Sequence, residues 1–282
     1  MPKPESLKLT VALIQPNTVW KKKEENFAKV EKLMSAINEP IDVVALPEMF
    51  ATGFVVDKSA YELAEDENGF TCEFLSELAK KYKTYVIGTY IEKQNQGKPK
   101  NTAIVFDREG KEIAKYHKIH LFSYDGEDKI YEPGNEIVTF DINGIRVCIG
   151  ICYDLRFPEE FRISAKQNKP EIFFIPANWP SKRQEDWEFG LEAITRFNQA
   201  CVCGINRVGK SPTNDYNGGT AIVVPKYSRK DKVWDLEKNS ILYDEGILIK
   251  KIDFKEINLK EWRDEFPVLE DIKLISPHLN HN

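Results

Sequence analysis

Apolar and polar positions alternate at the start of the chain. Leu7, Leu9, Val11 and Leu13 fall on one side of Leu7–Ile14, the period of a strand. From Asn26 to Ile37 the spacing lengthens, and Phe27, Val30, Leu33, Met34 and Ile37 share one helical face. Ile41–Leu46 reads as a short buried strand stopped by Pro47. Thr71–Tyr82 predicts a second helix and Tyr85–Ile91 a strand, with a polar turn at Gln94–Lys100. Ala103–Phe106 and Ile113–Tyr116 flank Asp107-Arg-Glu-Gly110, the pattern of a hairpin. Val138–Phe140 and Ile145–Ile151 meet at Asn143-Gly144, a strong signal for a two-residue hairpin turn. Then come a helix at Glu159–Gln167, a strand at Ile172–Ile175 ending in Pro176-Ala-Asn-Trp-Pro180, a helix at Glu185–Asn198 and a strand at Cys201–Ile205. Ala221–Val224 and Ile241–Ile252 predict further strands, and polar Asp231–Ser240 a surface excursion. The segment from about 258 to 282 carries Trp262, Phe266 and Pro267, and is expected to pack on the body or on a partner subunit.

Strands alternate with helices early, and hairpins intervene later, so the expected fold is one layered α/β domain over 1–282 with mixed sheets. A sheet of so many strands splits readily into two packed sheets with helices outside. The 282 residues, 41% of them hydrophobic, suffice for a substantial core. With 40 Lys and Arg against 45 Asp and Glu the net charge is −5, and no basic block supports binding to nucleic acid. Lys21-Lys-Lys23 is followed at once by Glu24-Glu25 and reads as a solvated helix start. No apolar run approaches the ~18 residues of a membrane span, and the beginning Met-Pro-Lys-Pro-Glu-Ser lacks a charged-then-apolar leader. The five cysteines (72, 148, 152, 201 and 203) suit reduced thiols in a cytoplasm. Cys201-x-Cys203 lacks metal-site spacing and reads as a pair of small core residues.

Three predicted strands end in groups with chemistry. Val43-Val-Ala-Leu-Pro-Glu48 presents a carboxylate, Tyr116-His-Lys118 an ammonium, and Arg146-Val-Cys-Ile-Gly-Ile-Cys152 a thiol. Alone, each has an ordinary reading: a surface carboxylate, a solvated turn lysine, a core cysteine. Together they are the parts of a nucleophilic site, in which the carboxylate takes the thiol proton and the cation favours thiolate and oxyanion. His117 and His120 lie three apart without a further ligand cluster, so no metal is expected.

Leu46-Pro-Glu-Met-Phe50, His117-Lys-Ile-His-Leu-Phe122 and Gly150-Ile-Cys-Tyr-Asp-Leu-Arg-Phe-Pro158 resemble, in order, the Glu, Lys and Cys signatures of the nitrilase (carbon–nitrogen hydrolase) superfamily. The resemblance runs from the first strand to about Lys273. Pro176-Ala-Asn-Trp-Pro180, Gly204-Ile-Asn-Arg-Val-Gly209 and Trp262-Arg-Asp-Glu-Phe-Pro267 are similar to its ω-amidase-like branch. It implies a four-layer αββα sandwich, a homodimer, and neither metal nor organic cofactor. It also implies Glu48 as general base, Cys152 as nucleophile, Lys118 as oxyanion stabiliser, the Tyr153 N–H as a second oxyanion donor and Glu127 as the carboxylate that orients the lysine. Asp125 and Asp128 flank Glu127 as alternatives. The implied activity releases ammonia from a small dicarboxylate monoamide such as 2-oxoglutaramate. Its free carboxylate would meet Arg156 or Arg207, and Asn178 and Trp179 would line the pocket. N-carbamoyl amide hydrolysis, nitrile hydrolysis and a silent scaffold are the alternatives. Where the family reads Arg-Ala-x-Glu-Asn, this chain has Ile194-Thr-Arg-Phe-Asn198.

Overall fold

The computed structural model describes residues 7–228, 233–242 and 244–272. Six strands build a first mixed sheet: β1 (Lys8–Gln15), β2 (Val43–Ala45), β3 (Tyr85–Glu92), β4 (Lys100–Phe106), β5 (Glu112–His117) and, from late in the chain, β13 (Gly246–Asp253). Their order is β13-β1-β2-β3-β4-β5, and β1, β2 and β3 run parallel. The second sheet holds β6 (Thr139–Ile142), β7 (Ile145–Ile149), β8 (Ile172–Pro176), β9 (Cys201–Ile205), β10 (Val208–Lys210), β11 (Asp215–Ser228) and β12 (Val233–Leu242). Its order is β10-β11-β9-β8-β7-β6, with parallel β7, β8 and β9 at its centre and β12 paired to β11.

The two sheets pack face to face. Leu9, Val11, Leu13, Val43 and Ala45 of the first meet Val147, Ile149, Ile172, Phe174 and Cys203 of the second in one buried cluster. Each sheet turns its alternate residues outward, where helices cover them. Ala12, Ile14, Val44 and Val86 pack under helices Lys23–Ser35 and Phe70–Tyr82 through Val30, Met34, Leu75 and Leu78. Cys148, Phe173, Ile175 and Val202 pack under helices Pro158–Asn168 and Gln184–Asn198 through Phe161, Trp187, Leu191 and Ile194. The layers are helix, sheet, sheet, helix, the αββα order expected from the sequence. Because both faces of the central strands are buried, they read as unbroken apolar runs.

The Asn143-Gly144 turn takes positive φ at both residues, 50° and 79°, as this hairpin turn demands. Polar 231–240 departs from the expected excursion, since Val233–Leu242 is a strand. Trp234 is buried between exposed Val233 and Asp235, and the charges of Asp235 and Glu237 face water. An edge strand with a charged outer face has that composition. The single strand expected at Ile241–Ile252 is divided between β12 and β13. Ile194 fills the outer core, whereas Phe197 stands out from its helix.

The late apolar segment lies on the body as far as residue 272; residues 273–282 lie outside the described ones. Trp262 is buried and stacks on Trp234 with ring centroids 4.9 Å apart. Gln199 anchors the same segment, its Nε2 donating to the carbonyls of Trp262 at 3.1 Å and Phe266 at 2.9 Å. Trp262→Ala leaves a cavity that neighbours fill only in part, so a loss of about 3–5 kcal/mol is expected, read as a lower urea midpoint.

Candidate active site

The parallel strands of the two sheets end on one side of the molecule, and their loops carry the reactive groups. Glu48 follows β2 across Leu46-Pro47. Its turn is fastened by the Met49 N–H on Thr89 Oγ1, by Thr89 Oγ1 on the Pro47 carbonyl (3.1 Å) and by Asn178 Nδ2 on the Glu48 carbonyl. Lys118 directly follows β5, its N–H held by the Asn101 carbonyl at 2.9 Å. Glu127 opens a short helix and folds back to accept the Phe122 N–H at 2.6 Å. Cys152 stands three residues beyond β7 with φ at +49°, a left-handed conformation uncommon outside glycine. It starts the 3-10 helix Cys152–Arg156, whose first N–H groups, including that of Tyr153, have no partner within the helix.

Lys118 Nζ lies 2.9 Å from Glu48 Oε1, and 3.0 and 2.8 Å from the two oxygens of Glu127, with all three side chains inaccessible to solvent. Asn101 Nδ2 donates to both carboxylates, at 2.8 and 2.9 Å. The Asn178 N–H donates to the second oxygen of Glu48 at 2.9 Å. Burial opposes the ammonium, but Glu127 and Glu48 outweigh it and hold Lys118 well above its ordinary value. Burial pushes Glu127 up, against the pull of Lys118. Burial and the Glu48 charge lift the Cys152 thiol well above its ordinary value, despite Lys118. A thiol held so high is protonated at rest, so the nearby cation does not by itself supply a thiolate.

Cys152 opens onto a cleft lined by Phe54, Tyr153, Asn178 and Trp179 among others, with Asp125, Arg156 and Arg183 as its charged side chains. Arg156 is exposed and pairs with Asp186 at 2.6 Å. Arg207 is not among the lining residues. It is fully buried, donates to the carbonyls of Val208 (3.1 Å) and Thr18 (2.5 Å), and stacks on Tyr216, which does line the cleft. Burial lowers it to about 10. Its position is that of a support behind the pocket wall rather than of a residue touching a ligand. Sequence reading missed Asn101, which sits within β4 and has no motif of its own, and Arg183, an ordinary surface arginine by composition.

His117 and His120 face different partners: His117 Nε2 lies 2.7 Å from Glu92, and His120 Nδ1 3.0 Å from Asp154 and 3.3 Å from Glu160. His120, Asp154 and Glu160 bring their ligand atoms within 4.8 Å of one another. Asp154 is, however, already engaged. One oxygen accepts the His120 N–H (2.8 Å) and the other the Ile151 N–H (2.8 Å) and the Tyr116 hydroxyl (2.7 Å), so it ties the lysine loop to the cysteine turn. Burial opposes a charge on His120, but Asp154 and Glu160 outweigh it and raise it from 6.5 to about 9. A raised histidine stabilises the fold fully below the unfolded value of 6.5 and loses that stabilisation as the pH climbs through about 9. His120→Gln is expected to lower the melting temperature by roughly 4–8 °C near pH 6, for about 2 kcal/mol after allowance for the ring's partial exposure. The gap between wild type and variant should close by about pH 10 in calorimetric scans.

The carbon-nitrogen hydrolase family model matches residues 10–259. A 2-oxoglutaramate amidase of Bacillus subtilis is 30% identical over 267 residues, 95% of this chain and 98% of that protein. The human omega-amidase NIT2 is 32% identical over 243 residues, 84% of each chain. Among solved structures, XC1258 of Xanthomonas campestris, a CN-hydrolase superfamily protein with an arsenic adduct in its active site, superposes with a TM-score of 0.82 at 26% identity. It covers 94% of this chain and 97% of its own. The chain belongs to the carbon–nitrogen hydrolase family, within the nitrilase superfamily, and is a hydrolase of non-peptide C–N bonds.

Proposed function

We propose that the chain is an ω-amidase that hydrolyses the primary amide of a short dicarboxylate monoamide, of the 2-oxoglutaramate kind, through an acyl-thioester on Cys152. The observation that carries the reading is the buried Lys118 between Glu48 and Glu127 beside a protonated thiol. The amidase names of relatives that match nearly the whole chain support the substrate class.

Glu48 takes the Sγ proton as sulfur attacks the carboxamide carbon. Lys118 Nζ and the Tyr153 N–H receive the oxyanion. Glu48 then returns its proton to the departing nitrogen, the C–N bond breaks, and ammonia leaves a thioester. Water, deprotonated by the same Glu48, attacks the thioester carbon; the C–S bond breaks, the acid departs and the thiol regains its proton. Glu127 holds the ammonium in place throughout. The fold contributes rigidity, since each group stands on a loop hydrogen-bonded to a neighbouring strand.

The reading includes a homodimer, supported by the exposed Phe189 and Phe197 on helix Gln184–Asn198, and a cytoplasmic location, supported by five free cysteines. No helix among the described residues is long and apolar enough to cross a membrane.

Cys152→Ala is expected to abolish ammonia release and Cys148→Ala to retain it, because Cys148 is buried under the outer helices. Wild-type rates in the Cys152 variant would exclude the nucleophile. Lys118→Ala should slow single-turnover acylation by on the order of 10²-fold or more, as removal of one oxyanion donor does. Ammonia release from a panel of ω-amides, carbamoyl amino acids and nitriles tests the substrate class, and a preference for either of the latter two would overturn it.

A further inference from the structure

The cleft at Cys152 holds three charged side chains besides the reacting groups, and they are not equivalent. Arg156 is already matched by Asp186 at 2.6 Å. Asp125 is an acid, and would repel an anion. Arg183 is different. Its backbone is fixed to the wall, its N–H on the Pro180 carbonyl at 3.0 Å and its own carbonyl accepting Trp179 Nε1 at 2.7 Å. Its guanidinium lies over the rings of Phe122 and Tyr124, at 5.3 and 5.2 Å. Among the described residues no carboxylate comes within ion-pair distance of it, and its Nη1 is buried without a hydrogen-bond partner. A buried guanidinium N–H left unmatched is costly, and a planar carboxylate is the group that fits its fork. Arg207 also has an unmatched Nη1, but it lies behind Tyr216, outside the lining.

We propose that Arg183 binds the distal carboxylate of the substrate while its amide lies at Cys152, so that the pairing of Arg183 with an anion sets the preference for dicarboxylate monoamides. The proposal rests on the ω-amidase reading. Arg183 acts here as a binding residue, distant from bond making. The competing role is mechanical: stacked on Phe122, Arg183 could merely steady the loop that carries Glu127.

The test compares kcat/KM for succinamate and for butyramide, its neutral counterpart of equal length, in wild type, Arg183→Gln and Arg183→Lys. Loss of one charge-assisted contact lowers succinamate turnover in the glutamine variant by about 30-fold, mainly through KM, and changes butyramide by less than about 2-fold. The lysine variant, which keeps the charge but not the fork, should recover part of the loss. An equal fall for both amides would assign Arg183 to the loop and overturn the proposal, as would an undiminished preference for succinamate. A wild-type enzyme indifferent to the carboxylate would instead sink the ω-amidase reading, and this inference with it. Should the glutamine variant fail to fold, protection of Cys152 from iodoacetamide by succinate decides the matter in the lysine variant. Weaker protection than in wild type supports the anchor, and equal protection excludes it.

Discussion

The site depends on one buried ammonium shared between two carboxyl groups. Lys118 could not stay charged in a dry interior alone, and neither carboxyl group would tolerate the same burial without it. Asn101 spans both carboxylates, and the Asn178 N–H takes the remaining oxygen of Glu48, so neutral donors complete the cluster. Removing any one member leaves its partners buried and unmatched, which makes the cluster a constraint on the fold as much as on the chemistry. The thiol beside it stays protonated for the same reason: a further unshielded negative charge has no place there.

This constraint explains why both sheets are needed. Glu48 comes from the first sheet's parallel centre, Lys118 and Asn101 from its antiparallel edge, and Cys152 and Asn178 from the parallel centre of the second. Parallel strands place successive loops at one end, which is where α/β sheets gather their ligand groups. Face-to-face packing then brings the two sets of loops within hydrogen-bond reach. Asp154 performs a similar service across the seam, joining the His120 N–H of one loop to the Ile151 N–H of the other.

Much of this was legible in the chain because central strands buried on both faces announce themselves as apolar runs, and each run here stops at a chemically distinctive residue. Glu48 and Cys152 stand where those runs end, and Lys118 directly follows the edge strand β5. Long-range partners left no such mark. Asn101 is one polar residue inside a strand buried on both faces, and its bridging role exists only once β4 lies between the loops of Glu48 and Glu127. Arg156 and Arg207 looked interchangeable as anions' partners, but burial separates them: one is matched at the surface by Asp186, the other encased behind Tyr216. The edge strand Val233–Leu242 was hidden because Asp235, Glu237, Lys238, Asn239 and Ser240 break up its apolar pattern.

On the proposed reading, the distribution of charge also gives the reaction a direction. The inner end of the cleft offers one ammonium already divided between Glu48 and Glu127, and so has little attraction for a third carboxylate. A substrate entering amide-first avoids that conflict, whereas one entering carboxylate-first meets it. Hydrolysis then converts the neutral amide at the inner end into a carboxylate. The product carries there the charge that the cluster cannot neutralise, and its affinity falls while the outer contact is unchanged. Binding energy at the far end is thus spent on orienting the substrate, while repulsion at the near end clears the acid. The same shared ammonium that allows Glu48 to be buried disfavours the product that Glu48 helps to form.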